Sequence, residues 1–274
     1  MNEKSHLGIR EAPDQRMVRD CTASMVLFQN APDMVRKAAE GLLDSECSIQ
    51  LTVVDNSLTA DLRSAFDGLP VSYHFAGKNL GYGRAHNWAI FHAEPSRYHL
   101  ALNPDIVIPR GTIRSLITFM DNHSDAGMVC PRILNEDGTD QYLNKRYPSV
   151  MDFFIRRFVP RRFRHWFRER LDRYEMRDVG YDLACDVEAM TGAFMLCRTD
   201  VLKAVAGFDP RYFMYLEDFD LSRTFQCRGW RTVYCPEASV THYWTRDSHR
   251  NVKMTWRFIV SMCRYFGKWG WKWR

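Results

Sequence analysis

Apolar residues arrive in short runs broken by polar turns. "TASMVLFQN" (22–30) is a compact apolar run that reads as a buried strand. Pro32 and Asp33 suit a helix start, and that helix runs to about Leu43. "SIQLTVVDN" (48–56) is a second strand with a polar end, and "VSYHFA" (71–76) a short third. "GYGRAHNWAIFHA" (81–93) is helical in pattern, and "YHLALNPDIVI" (98–108) is a fourth strand that breaks at Pro104. A helix over 110–122 and the strand "AGMVCP" follow. After residue 135 the pattern turns irregular, with a basic helical insertion over 151–177. "AMTGAFMLCR" (189–198) resumes as a strand, helices are expected at 199–205 and 216–228, and "WRTVYCPEASVTHYW" supplies one or two late strands.

This alternation of strand and helix argues for an α/β fold, a mostly parallel sheet with helices on both faces. Ligands of such sheets bind beyond the carboxyl ends of the strands. "VVDN" and "LNPD" both sit at strand ends. No internal repeat or low-complexity linker divides the chain. We expect an N-terminal extension (1–21), a single domain (22–250) carrying the 151–177 insertion, and a C-terminal helix (251–274).

Composition changes this picture little, and charge changes it more. A chain of 274 residues with 46% hydrophobic and 26% charged residues is globular in type and long enough for a substantial core. Its eight cysteines form no CxxC pairs, so free thiols in a reducing compartment are the simplest account. The charged N-terminus is unlike a signal peptide, and no apolar run approaches the ~18 residues of a membrane span. Net charge is +5, but 156–177 holds nine Arg against three acids and 253–274 holds six Lys and Arg with no acid. Each segment thus carries +6, and the remainder carries −7. Both segments are laced with aromatics, which fits an anionic membrane surface better than nucleic acid. Phe258, Ile259, Met262, Tyr265, Phe266 and Trp269 recur at helical spacing, with Lys253, Arg257, Arg264 and Lys268 opposite. That amphipathic helix, and the "KWGWKWR" tail beyond it, are expected at the membrane interface.

Several clusters could carry chemistry. Asp55 and Asn56 end a strand, where a carboxylate accepts from a base or ribose, or simply closes an Asx turn. "KNLGYGRAHN" (78–87) puts glycines ahead of a helix, allowing close backbone approach. Asn103 and Asp105 flank a proline, and Asp105 could hold a hard cation on a diphosphate. His242 could complete a mixed N/O cation site. In "YLEDFDL", Glu217, Asp218 and Asp220 crowd the start of a helix, where its dipole favours them. A carboxylate held among aromatics can also be tuned for base work.

In order and spacing, "VVDNS", "NLGYGRAHN", "LNPD", "TGAFMLCRTDVL", "GFDPRYFMYLEDFDLSRTFQCRGW" and "VTHYW" resemble the family 2 glycosyltransferases over residues 22–250. Within them the chain is most similar to bacterial rhamnosyltransferases of surface-polysaccharide synthesis. The resemblance implies a nucleotide-sugar-binding glycosyltransferase A-type fold and an inverting transfer. Phe28, Asn30, Asp55, Asn56, Asn79, Gly81, Asn87, Asn103 and Asp105 would line the donor site. Asp105 and His242 would hold Mg2+ or Mn2+. Gly192 and Ala193 would line the acceptor site, Asp218 would be the base with Glu217 and Asp220 in support, and Gln141 and Arg146 would belong to a donor-side loop. The donor would be dTDP-rhamnose and the acceptor a polyprenyl-diphosphate-linked glycan at the inner face of the cytoplasmic membrane. Other donors (a UDP-hexose or galactofuranose), a non-catalytic subunit and a homodimer stay open. Two departures stand out: "FQN" ends the first strand where relatives often carry Tyr-Asn, and Asn103 stands where a second carboxylate is common.

Overall fold

A computed structural model describes residues 18–243 and 252–274. Most of the expected N-terminal extension, and the expected domain edge at 250, lie outside the described residues. The chain builds one nine-stranded sheet in the order β3-β2-β1-β4-β8-β6-β9-β5, with β7 paired to β9. The first four are β1 (Arg19–Leu27), β2 (Ile49–Asp55), β3 (Val71–Phe75) and β4 (Ser96–Leu102), and all pair in parallel. β5 (Ile106–Val107) is the short continuation after Pro104. β6 (Ala126–Leu134) pairs in parallel with β9 (Arg231–His242), the single long strand that the late apolar segment forms. β7 (Cys185–Asp186) adds a short edge.

β8 (Phe194–Arg198) is the departure from a wholly parallel sheet. It runs antiparallel to both β4 and β6 and fills the space between them. Only the second half of the expected 189–198 strand is extended; residues 189–193 form the loop that leads into it. Because β8 is reversed, it starts where β4 ends, with Phe194 opposite Leu102. The loop before β8 therefore lands at the carboxyl edge of the parallel strands.

Helices cover both faces because the strands alternate. Leu100 and Leu102 of β4, with Phe194 and Leu196 of β8, pack toward α1 (Pro32–Leu43) and α3 (Thr112–Asn122). Ala101, Met195 and Cys197 point the other way, toward α2 (Tyr82–His92), α6 (Thr199–Ala204) and α7 (Glu217–Cys227). This period of two with both sides buried explains the near-continuous apolar runs. One buried polar chain crosses the second face: the Ser24 hydroxyl lies 2.7 Å from His86 Nδ1 and 2.9 Å from His99 Nε2, and Thr22 Oγ1 lies 2.9 Å from His99 Nδ1.

The basic insertion folds as α4 (Val150–Phe158), a 3-10 turn over Arg161–Phe167, and α5 (Arg168–Tyr174). α4 opens on a capping box, in which Ser149 and Asp152 satisfy each other's backbone N–H groups. The C-terminal helix is α8 (Val252–Trp269). Of its six periodic apolar residues, five pack on the domain and not on a membrane. Tyr265 and Phe266 are buried among Phe153, Tyr212, Leu216 and Phe219, with Phe258, Met262 and Trp269 packed alongside. The expectation that this face lies on lipid is therefore corrected.

Candidate active site

β1, β2 and β4 end side by side, with Leu27 opposite Asp55 and Met25 opposite Leu102. The loops beyond them are stitched together. Asn56 donates its backbone N–H to Leu27 O (2.9 Å), Gln29 donates its own to Ser57 Oγ (3.1 Å), and Phe28 donates its own to Asn30 Oδ1 (2.8 Å). Asp55 is fully buried; it accepts from the Ser57 N–H (2.9 Å) and from the Tyr73 hydroxyl. Burial, and the Asp55 carboxylate beside it, hold the Tyr73 phenol well above its usual range. Asn56 Nδ2 reaches Gly81 O (3.1 Å), while its buried Oδ1 has no partner. Asn79 Oδ1 accepts the Gly81 N–H (2.9 Å). Gly81 has φ of 88°, and a Cβ there would meet Phe213 O at 2.3 Å, so only glycine fits. Phe28, Asn30, Asp55, Asn56, Asn79 and Gly81 thus converge on one edge.

The second group forms where β5 pairs with β9. Ile106 lies opposite His242, and Asp105 O accepts the Tyr243 N–H (2.9 Å). Asp105 Oδ1 and His242 Nε2 come within 3.2 Å, yet neither atom makes a well-formed hydrogen bond. Gln141 explains the orientation. Its Nε2 donates to His242 O (2.7 Å), so its Oε1 must be the atom 2.9 Å from His242 Nδ1. Nδ1 then donates to Gln141, and in the neutral ring Nε2 turns its lone pair toward the carboxylate. Two buried lone-pair atoms facing each other suit a shared cation. Among the described residues no third His, Cys, Asp or Glu joins them, so the remaining ligands would come from a diphosphate and water.

Asn103 joins this group to the third. Its N–H donates to Ala193 O (2.9 Å), in the loop ahead of β8. The next residue back, Gly192, donates its N–H to Asp218 Oδ2 (2.8 Å). Asp218 Oδ1 accepts the Phe219 N–H (2.9 Å). Both carboxylate oxygens are therefore fixed by backbone. Burial raises the Asp218 pKa above the usual carboxylate range, and these amides oppose that rise. Glu217 is buried with Oε2 unpartnered; burial, and then the neighbouring Asp218 charge, push it up further. Tyr215 and Leu216 enter α7 with φ of 73° and 67°, conformations that cost a bulky residue about 1–3 kcal/mol each. That sharp entry sets Glu217 and Asp218 at the mouth of the helix.

Three expected site residues are committed elsewhere. Asp220 does not support Asp218: its oxygens accept from Lys268 Nζ and Trp269 Nε1, each at 2.7 Å, on α8. Asn87 spends both ends of its amide on Phe208, donating to its carbonyl (2.6 Å) and accepting its N–H (2.8 Å). Arg146 binds Asp178 Oδ1 (2.8 Å) and the Arg173 carbonyl, and so braces the insertion. Conversely, Tyr82 had been given no role. Its N–H donates to Phe213 O (3.0 Å) and its hydroxyl donates to Gly192 O, tying the first group to the third. Its place directly after Gly81 was the only clue the sequence held.

Comparison with known proteins follows the same lines. Residues 82–260 match the model of a family described as "Glycosyltransferase like family 2". A Mycobacterium tuberculosis protein, N-acetylglucosaminyl-diphospho-decaprenol L-rhamnosyltransferase, is 30% identical over 244 residues, covering 82% of this chain and 76% of that one. Rhamnosyltransferase WbbL of Escherichia coli K12 is 23% identical over 252 residues, covering 89% of this chain and 92% of that one. In fold, the chain is similar to a mannosyltransferase of Pyrobaculum calidifontis in complex with GDP-Man and Mn2+, with a TM-score of 0.60 and 15% identity, covering 94% of this chain and 66% of that one. It is also similar to GalNAc-T7 with UDP, GalNAc and Mn2+, with a TM-score of 0.61 and 12% identity, covering 84% of this chain and 44% of that one.

Proposed function

Because the chain belongs to glycosyltransferase family 2, we propose that it is an inverting rhamnosyltransferase. It moves L-rhamnose from dTDP-rhamnose to a hydroxyl of a polyprenyl-diphosphate-linked glycan, at the inner face of the cytoplasmic membrane. The observation that carries the mechanism is Asp218, a carboxylate with raised pKa whose two oxygens are held by the Gly192 and Phe219 amides. Residues 22–250 are the transferase domain and 251–274 an appendage packed on it.

In this reading Asp55 and Asn56 receive the nucleotide base and ribose, flanked by Phe28 and Asn30. Asn79 and Gly81 hold the neighbouring loop in place, and Asn103 lies between the donor and acceptor sides. Asp105 and His242 hold Mg2+ or Mn2+, whose chemistry is to offset the negative charge of a diphosphate. Gly192 and Ala193 border the acceptor. Asp218 takes the proton of the attacking hydroxyl. The acceptor's hydroxyl oxygen bonds to the anomeric carbon from the face opposite the diphosphate, and the carbon–oxygen bond to the nucleoside diphosphate breaks. Glu217, kept protonated by burial, leaves Asp218 as the charged member of the pair.

Asp218→Asn keeps the size and one of the two amide contacts, because its NH2 cannot accept from an N–H, and it removes the base. We expect turnover to fall about 10²–10⁴-fold, measured as transfer to a lipid-linked acceptor, with the thermal shift on adding dTDP-rhamnose unchanged. Full activity in that variant overturns the base assignment. A thermal shift with UDP-sugars in place of dTDP-rhamnose overturns the donor.

A further inference from the structure

With the apolar side of α8 spent on the domain, the molecule still keeps a second apolar face in the open. Met151, Phe154 and Phe158 of α4 are exposed, the two phenylalanines each at 52%. Their spacing of three and four puts them in one stripe, opposite the buried Phe153. The Phe154 and Phe158 rings lie 5.5 Å apart. α4 is thus apolar on both sides, and only its inner side, where Phe153 meets Phe258 and Phe266, is covered.

Both ends of the stripe are extended by tryptophans. At the first turn of α4, Val150 and Met151 donate their N–H groups to Lys272 O (2.8 Å) and Trp273 O (3.3 Å). This lays the tail beside the stripe, with exposed Trp271 and Trp273 stacked on each other at 5.5 Å. At the other end Arg157 bonds the Thr255 hydroxyl, which brings the exposed Trp256 and Val252 of α8 alongside. Trp166, 69% exposed, stacks on Phe163 in the following turn.

The surroundings are cationic. Lys253, Arg162, Lys272 and Arg274 are exposed on the same elements. Next to the C-terminal end of α4, a cavity of about 300 Å3 is lined by Arg156, Arg164, Arg168 and Arg177, with Asp172 and Glu175 as its acids. Arg164 is fixed there through the carbonyls of Arg156 and Val159. Asp152, the one acid of α4, is buried and paired with Arg170 (2.6 Å), and Glu169 is the exposed acid of α5. An aromatic stripe ringed by guanidinium and ammonium groups matches the two layers of a lipid interface, acyl boundary and phosphate.

We propose that the α4 stripe with the Trp271–Trp273 tail docks the protein on a bilayer rich in anionic phospholipid. Lipid phosphates sit over the surrounding Arg and Lys residues. The inference deepens, and for its purpose rests on, the lipid-linked acceptor. Leu216 and Phe219 share one apolar cluster with α4 and α8, and Tyr215 contacts Phe258, so the docking face is a single layer from Glu217 and Asp218.

The test is flotation of the full-length protein with vesicles, without donor or acceptor. Binding is expected to phosphatidylcholine vesicles containing phosphatidylglycerol, not to phosphatidylcholine alone, and to weaken with salt. Phe154→Ser with Phe158→Ser should cut partitioning at least about tenfold with an unchanged melting temperature. Lys272→Glu with Arg274→Glu should do the same without touching the stripe. Asp218→Asn should float like the wild type, so failure of the base assignment and failure of docking are read separately. Wild-type protein that stays unbound overturns the proposal. So do variants that bind as well as wild type, or a stripe-dependent dimer in sedimentation equilibrium in place of vesicle binding.

Discussion

Gln141 spends both ends of its amide on His242, one on the carbonyl and one on the ring. The side chain acts on a cation only through the imidazole it orients. Gln141→Leu should weaken Mn2+ binding about 10–100-fold, read from the electron paramagnetic resonance signal of free Mn2+ and needing no turnover. Unchanged Mn2+ affinity would show that the Asp105–His242 pair does not need this orientation. At this scale the sequence was legible where a residue's place is set by its own strand or helix end, as it is for Asp55, Asp105 and Asp218. It misled where a polar side chain had a distant backbone to satisfy. Asn87 looks like a pocket residue until Phe208, 121 positions away, takes both of its hydrogen bonds. Tyr82 looked like a helix residue until its hydroxyl met Gly192, 110 positions on.

Asp220 belongs to the scale of elements. It stands in the first turn of α7 but bonds Lys268 and Trp269 of α8, so it fastens one helix to the other. Its carboxylate is buried, while Lys268 keeps some contact with water. Asp220→Asn should cost about 1.5–3 kcal/mol, measured by urea unfolding, and should leave Mn2+ affinity unchanged. A variant of wild-type stability would mean that the helix is held by its aromatic packing alone. The apolar periodicity of α8 correctly identified the face, with Tyr265 and Phe266 at its centre, but periodicity cannot say which surface covers a face. The cover comes from Phe153, Tyr212 and Phe219, which no local pattern links to it. β8 was misjudged for the same reason. "AMTGAFMLCR" has the composition of a strand throughout, yet Gly192 and Ala193 are drawn into the loop by Asp218 and Asn103.

At the scale of the whole molecule, the buried Ser24–His86–His99 chain ties stability to pH. Burial holds both imidazoles down at about 3, so they are neutral in the folded protein. In the unfolded chain they titrate near ~6.5. Between those values the unfolded state binds more protons, and stability falls as pH drops through that window. Glu217 and Asp218, whose pKa values are raised, act in the opposite sense. Between pH 7 and pH 4 the urea midpoint should therefore fall more, or rise less, in the wild type than in His86→Gln with His99→Gln. An equal slope in the variant would assign the acid sensitivity to carboxylates instead. The parallel half of the sheet was legible from its alternating strands and helices. The reversed β8 was not, since nothing in five residues states the direction of their partners.

β8 also governs the order in which the protein can be made. When a growing chain has supplied β1 to β6, the partners β4 and β6 still lack the strand that separates them, and adjacent strands sit only about 4.8 Å apart. The two halves of the sheet cannot be sealed until Phe194–Arg198 is threaded between them. The same insertion delivers Gly192, and with it the amide that holds Asp218. In chain order β8 precedes α7, so the gap between β4 and β6 can close before Asp218 is there to accept the Gly192 amide. On the function proposed above, a chain folded only as far as β6 holds the donor-side edge but not yet Asp218.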